Sequence, residues 1–223
     1  GGPVMALDVS PDGALASASF DNSVGLWRGQ VPRWLEGHDA AVTALAYDHA
    51  PALLTGGDDY RVLLWHPDHR EPAEVTQHQG KVSDIAVSPN GEVVASASWD
   101  GSVRLSAVVR PFLSSEALAA PKPPIGFHAT ELLGHRSNVT AVAFTPSGGF
   151  FSASSDGTIR VWEGHMPDLT PRTLIKHGFG VNRMIVTDTW IAYGAVDGTT
   201  RVIDPDSGAQ IADFTLDRRP ILS

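Results

Sequence analysis

An aspartate recurs along this 223-residue chain at Asp21, Asp59, Asp100, Asp156 and Asp197, at separations of 38, 41, 56 and 41 residues. Six residues after each one a strand-like run ends, at Trp27, Trp65, Ser106, Trp162 and Ile203. Four residues before each stands a small hydroxyl, Ser17, Thr55, Ser96 or Ser152, with Tyr193 departing in the last copy. His38, His78, His135 and His177 precede their aspartates by 21, 22, 21 and 20 residues, while the matching place in the first copy falls before residue 1. Four residue types in register over five periods require a repeat architecture, in which each unit buries its apolar surface against its neighbours.

Each period contains short runs bounded by Gly, Pro, Asn and Asp, which read as strands; in the second copy they are VTALAYD, ALLTGG, RVLLWH and AEVTQH. Ser10-Pro11-Asp12-Gly13 and Ser88-Pro89-Asn90-Gly91 place Pro and Gly where tight turns need fixed or positive φ. The inner runs are apolar on both faces, which predicts sheets sandwiched between sheets, and long helical periodicity is absent. Residues 107–129 interrupt the rhythm and are expected to form an irregular surface loop, with room for a helical turn or two at 114–120. Ile221-Leu222-Ser223 aligns with Val4-Met5-Ala6 and the chain has no initiator Met, so a processed or incomplete chain is expected.

Composition removes several functions. Net charge is −9, with 16 scattered Lys and Arg, which argues against a nucleic-acid binder, since that needs a basic stripe or patch. Without cysteine there is no disulfide, thiolate zinc site or Cys nucleophile, and the compartment cannot be read from thiol usage. No run approaches 18 apolar residues and the first ten lack the pattern of a signal peptide, so membrane insertion is not expected. The Asp, His and Ser of each copy suggest a hydrolase, but a triad needs one exposed nucleophile with its base, not a trio repeated every 40 residues or so. His66-Pro67-Asp68-His69 reads as a solvated loop rather than a metal site. No catalytic residue, metal ligand or cofactor is predicted, and the chain is not expected to be an enzyme.

Gly-His about 27 residues before a closing Trp, with an Asp six before that Trp, resembles the WD40 repeat, in particular its bacterial-type forms. Gly37-His38…Asp59…Trp65 and Gly134-His135…Asp156…Trp162 match best. Arg28, His66 and Glu163 depart from the Asp that commonly follows the Trp, and Asp204 holds that place behind Ile203. The resemblance implies an all-β fold, a β-propeller of four-stranded antiparallel blades, with five present and part of a seven-bladed ring as the alternative. The blades would span roughly 1–37, 38–79, 80–134 with its insertion, 135–177 and 178–219.

The resemblance also implies a structural hydrogen-bond network in each blade. Complete sets are His38, Thr55, Asp59, Trp65 and His135, Ser152, Asp156, Trp162. Partial sets are Ser17, Asp21, Trp27; His78, Ser96, Asp100; and His177, Asp197. Members of this family mostly serve as platforms whose partners meet one face, where the residue before each Asp gathers: Phe20, Asp58, Trp99, Ser155 and Val196. Met5, Thr43, Lys81, Asn138 and Asn182 flank that face at the start of the inner strands. Phe20 and Trp99 are candidate anchors, because large aromatics dominate interface energetics. The expected function is a non-catalytic scaffold for a protein or peptide partner. The alternative is an accessory propeller of a c-type cytochrome-associated redox protein, whose haem would lie on other sequence, since no Cys-x-x-Cys-His is present.

Overall fold

A computed structural model describes residues 1–47, 52–66, 71–107, 129–165 and 168–214. The expected helical turn at 114–120, Pro67 to His69 and the final Ile221-Leu222-Ser223 lie outside the described residues. The rest forms β-strands only.

Five four-stranded antiparallel sheets follow one another, each in chain order from inner to outer strand. The first holds β1 (Val4–Val9), β2 (Leu15–Ser19), β3 (Val24–Trp27) and β4 (Pro32–Leu35). The second holds β5 (Val42–Tyr47), β6 (Leu53–Gly57), β7 (Arg61–Trp65) and β8 (Ala73–Gln77). The third holds β9 (Val82–Val87), β10 (Val93–Ser98), β11 (Val103–Ala107) and β12 (Ala129–Leu132). The fourth holds β13 (Val139–Phe144), β14 (Phe150–Ser154), β15 (Thr158–His165) and β16 (Asp168–Lys176). The fifth holds β17 (Val181–Val186), β18 (Ile191–Ala195), β19 (Thr200–Ile203) and β20 (Gln210–Asp213). These are the blades of a propeller, packed through their inner strands β1, β5, β9, β13 and β17.

Apolar residues on both faces give each sheet two partners. Between the first two sheets, Ala16, Ala18, Val24 and Leu35 meet Val42, Leu45, Leu53, Leu63 and Trp65. Alanines on the earlier sheet leave room for the large side chains of the later one, so the layers interdigitate. Burial of each Leu or Val contributes about 2 kcal/mol.

A second device holds blade to blade. Each inner strand carries a register shift at its start, as at Val42/Ala44 and Val139/Ala141. An unpaired residue at such a bulge is turned out of its own ladder. In the second, third and fourth sheets that residue bears a hydroxyl. Thr43 Oγ1 donates to the Val82 carbonyl at 2.5 Å, Ser83 Oγ to Val139 at 2.5 Å and Thr140 Oγ1 to Val181 at 2.6 Å.

The described array is open. Val4 and Leu7 are 59% and 61% exposed, whereas Val42 and Leu45 in the same places of the second sheet are covered by the first. On the last sheet Ile185 and Phe214 are likewise open to solvent.

Turns complete the repeat. The residue after each Asp, at Asn22, Tyr60, Gly101, Gly157 and Gly198, has φ between 71° and 87°. Glycine suits that place best; a Cβ on Gly157 would stand 2.5 Å from the His177 carbonyl oxygen.

Candidate functional site

Two sets of side chains occupy the end of the sheets where each inner strand begins: a buried polar network inside the blades and an exposed rim above it.

In the second sheet Trp65 Nε1 donates to Thr55 Oγ1 at 2.7 Å, and Thr55 Oγ1 lies 2.7 Å from His38 Nε2. His38 Nδ1 stands 2.8 Å from Asp59 Oδ2. One hydroxyl proton and one ring proton satisfy this chain if Thr55 donates to a neutral imidazole that donates to the carboxylate. Asp59 also accepts the backbone N–H groups of Asp39 and Arg61, tying the His-bearing loop to its own turn. The fourth sheet repeats the arrangement, with Trp162 Nε1 at 2.8 Å and His135 Nε2 at 2.7 Å from Ser152 Oγ. There Asp156 accepts bonds from the backbones of Arg136 and Thr158 and from the Thr158 hydroxyl.

Charge follows geometry. Burial pushes the His78 and His135 imidazoles below their ordinary value, outweighing Asp100 and Asp156 beside them. Burial works to raise the Asp156 carboxyl, but Thr158, Arg136 and His135 outweigh it and bring it to about 2. In the third and fourth sheets neutral histidine and ionised aspartate are thus the resting forms. Such a network rigidifies, and each hydroxyl in it already accepts from an indole and faces an imidazole, so neither copy holds a free nucleophile.

The other copies are reduced. In the first, Trp27 still donates to Ser17 at 2.9 Å, and Asp21 accepts the Gly2 N–H and the Ser23 hydroxyl. In the third, His78 reaches Ser96 at 2.7 Å and Asp100 at 3.2 Å, but Ser106 replaces the indole and its buried hydroxyl has no partner among the described residues. In the fifth, Tyr193 takes the hydroxyl's place, its ring edge-on to His177, and His177 turns Nε2 rather than Nδ1 toward Asp197, at 3.3 Å.

The sequence pairs Gly-His with a closing Trp, and the structure adds a proline that completes a trio. A Cβ on Gly37 would lie 2.8 Å from the Trp65 ring and 3.0 Å from Pro72, and one on Gly134 would lie 3.2 Å from Pro171. Pro171 pairs with Trp162, and Pro32 with Trp27, on outer edge strands where a missing N–H costs no ladder bond. The third and fifth sheets lack the Trp, and there Gln77 and Lys176 precede the His instead of Gly. In the second sheet the Trp65 indole and Pro72 both crowd the place a Cβ on Gly37 would take, and at Gly134 Pro171 does so, which accounts for glycine before these two histidines.

The rim is built by five equivalent backbone bonds. Phe20, Asp58, Trp99, Ser155 and Val196 donate N–H to the carbonyls of Pro3, Ala41, Lys81, Asn138 and Gly180, at 2.8–2.9 Å. Each turn is thereby held beside the residue that starts its inner strand. Phe20 and Trp99 project, 57% and 51% exposed. Lys81 Nζ lies 4.9 Å from the centre of the Trp99 ring and 3.3 Å from Asp58 Oδ1, so one cation orients the tryptophan and ties two blades. Asn138 and Asn182 are half-buried, and Met5 stands partly open at the mouth.

Thr43 has to be withdrawn from this face. It is 5% exposed and its hydroxyl is committed to the third sheet, so it locks blades rather than meeting a partner. Tyr60, which the spacing did not single out, joins the rim instead. It is exposed beside Asp58 and Asp59 at φ 71°, a conformation that strains a bulky side chain.

Among the described residues no group of three His, Cys, Asp or Glu is placed to hold a metal ion. The family model for the WD domain, G-beta repeat, matches residues 1–28, 29–66, 70–105 and 127–163, more than half of the chain. The fifth sheet, with Tyr193 and Ile203, lies outside those matches. The ribosome biogenesis protein WDR12 homolog of Drosophila yakuba is 24% identical over 209 residues, 86% of this chain and 48% of that protein. The ribosome biogenesis protein YTM1 of Yarrowia lipolytica is 26% identical over 77% of this chain and 30% of its own length. The serine/threonine-protein kinase VPS15 of Arabidopsis thaliana is 26% identical over 88% of this chain but only 14% of itself. The chain spans less than half the length of each of these relatives, all of them eukaryotic, and the expected bacterial type finds no support in them.

Proposed function

Because the chain belongs to the WD40 repeat family, we propose that it acts as a non-catalytic platform, holding a protein or peptide partner against the rim of Phe20, Asp58, Tyr60, Lys81 and Trp99. WD40 domains mediate protein interactions, and the observation that carries the reading is the division of labour within each turn. The Asp of the turn is buried in the network, while the residue before it is held outward by a backbone bond and varies between copies. Aromatic groups presented singly on rigid turns are the composition of an interface centre, and the charged pair between two of them suits its polar margin. The net charge of −9 speaks against nucleic acid as the partner. The match to a kinase covers 14% of that protein, and the Thr55 and Ser152 hydroxyls of the two complete networks are already bonded, so catalysis is not carried over. Nothing in the relatives' names speaks for the accessory redox role.

The test is affinity purification from the native source with the parent and Trp99→Ala. Partners recovered with the parent should be lost from the variant, while its melting temperature stays close to that of the parent because an exposed ring on a turn adds little to stability. Unchanged recovery would overturn the role of the rim.

Tyr60 gives a second measurement. A non-glycine residue at this φ costs about 1–2 kcal/mol. Tyr60→Gly should therefore raise stability by about 1 kcal/mol in denaturant titration, yet recover less partner. A variant that loses stability would show that the Tyr60 ring supports the fold.

A further inference from the structure

At the opposite end of the strands from the rim, we infer a second binding site, between the first and second sheets, for a peptide that presents one large aliphatic side chain beside carboxylates. It does not depend on the rim reading. A cavity of about 240 Å³ opens there, walled by Leu26 and Leu35 on one sheet and Leu53 and Trp65 on the other. That volume is below the range of drug-sized and cofactor pockets and suits a single anchor residue. The lining is aliphatic and aromatic at its base, which selects an apolar anchor.

Charge at the mouth decides what flanks the anchor. Arg28 reaches Asp12 in an ion pair at 2.5 Å, which neutralises both. Arg33 stands on the same face as Leu26 and Leu35, is exposed, and has no ion-pair partner among the described residues. Among the described residues the site therefore presents one uncompensated guanidinium above an apolar floor, suited to a carboxylate held in two parallel bonds. The chain's overall negative charge opposes an acidic ligand, but charges farther off than about 10 Å are screened at 0.1 M salt. The nearby cation prevails at contact.

The molecule holds its own control. The corresponding cavity between the third and fourth sheets, about 600 Å³, is lined by Leu105, Leu169 and Trp162 but, among the described residues, carries Glu92 and no Lys or Arg. An acidic peptide should choose the first cavity over the second.

The experiment titrates leucine-methyl-labelled protein with the capped peptide Gly-Asp-Leu-Glu-Gly, and with its Lys-Leu-Lys and Asp-Ala-Glu counterparts. Saturable shifts are expected at Leu26, Leu35 and Leu53 with Kd of about 1 mM, as befits one anchor. Both counterpart peptides, and the parent peptide on Arg33→Glu, should bind about tenfold more weakly. Because Arg33 is exposed, the variant's unliganded methyl spectrum should overlay that of the parent. Absence of shifts at 10 mM peptide would overturn the inference. So would equal binding by Arg33→Glu, or shifts at Leu105 and Leu169 in place of the predicted ones.

Discussion

Asp156→Ala should lower the stability of the protein by about 3 kcal/mol, within the range for breaking a buried hydrogen-bonded charge. The side chain is 9% exposed and its two oxygens receive four donors: the backbones of Arg136 and Thr158, the Thr158 hydroxyl and His135 Nδ1. Removing it leaves those donors without an acceptor in a site that water hardly enters, and each such loss costs about 1 kcal/mol or more. Asp156→Asn should help little, because an amide nitrogen must then face at least one N–H or O–H. For a chain of this size the loss corresponds to a fall of about 10 °C in melting temperature. Melting temperatures equal to the parent's would sink the argument. Asp197→Ala in the fifth sheet is the internal comparison. Its His177 contacts are 3.3–3.4 Å long and its side chain is 24% exposed, so the cost there should be about 1 kcal/mol.

The same network sets the acid limb of the stability curve. The folded carboxyl of Asp156, at about 2, lies below its unfolded value of 3.8. Its contribution is complete above pH 3.8 and disappears as pH falls through 2. His78 and His135 act earlier. Held below 6.5 by burial, they cause the unfolded chain to take up protons first, so stability declines as soon as pH drops under 6.5. Asp156→Ala should flatten the lower part of this limb and leave the part due to His78 intact.

Much of the architecture was readable because its causes are local and periodic. The Asp, His, hydroxyl and Trp keep their spacing since each must reach the same neighbour in every blade, and the turn residues recur for the same reason. What escaped the sequence lies between blades. Thr43 occupies a place next to the rim in one dimension, but the bulge at Val42/Ala44 turns it toward the third sheet, and only packing reveals that. Tyr60 was hidden because a tyrosine where the other copies have Asn or Gly looks like ordinary variation until its φ is seen. The Pro that joins Gly and Trp was present in the sequence, but the three are split over about 35 residues and their logic is steric rather than periodic. Asp84 was overlooked for a related reason: it sits in the middle of an inner strand where the first, second and fourth sheets have Ala6, Ala44 and Ala141.

That departure leads to the other large effect. Asp84 Oδ2 accepts the Val142 N–H at 3.0 Å, from the inner strand of the next blade. Burial pushes its carboxyl up to about 6, against the Val142 bond, the Arg183 guanidinium and the Ile85 N–H. Above that pH the ionised form is held in a site that disfavours it. Displacement from 3.8 to about 6 corresponds to roughly 3 kcal/mol at most. Asn has the same shape and an oxygen that can keep the Val142 bond, without the charge. Asp84→Asn should therefore raise stability at pH 7.5 by about 2 kcal/mol, since the side chain is only half-buried and solvent screens part of the cost to the ionised parent. The sign reverses relative to Asp156. A raised carboxyl contributes fully below 3.8 and loses that contribution as pH rises through 6, so the advantage of the variant should shrink between pH 6 and 4 and vanish below. Denaturation midpoints of both proteins across that window measure it. A variant less stable than the parent at pH 7.5 would mean that the ionised Asp84 and Arg183 attract each other strongly enough across the blades to outweigh burial.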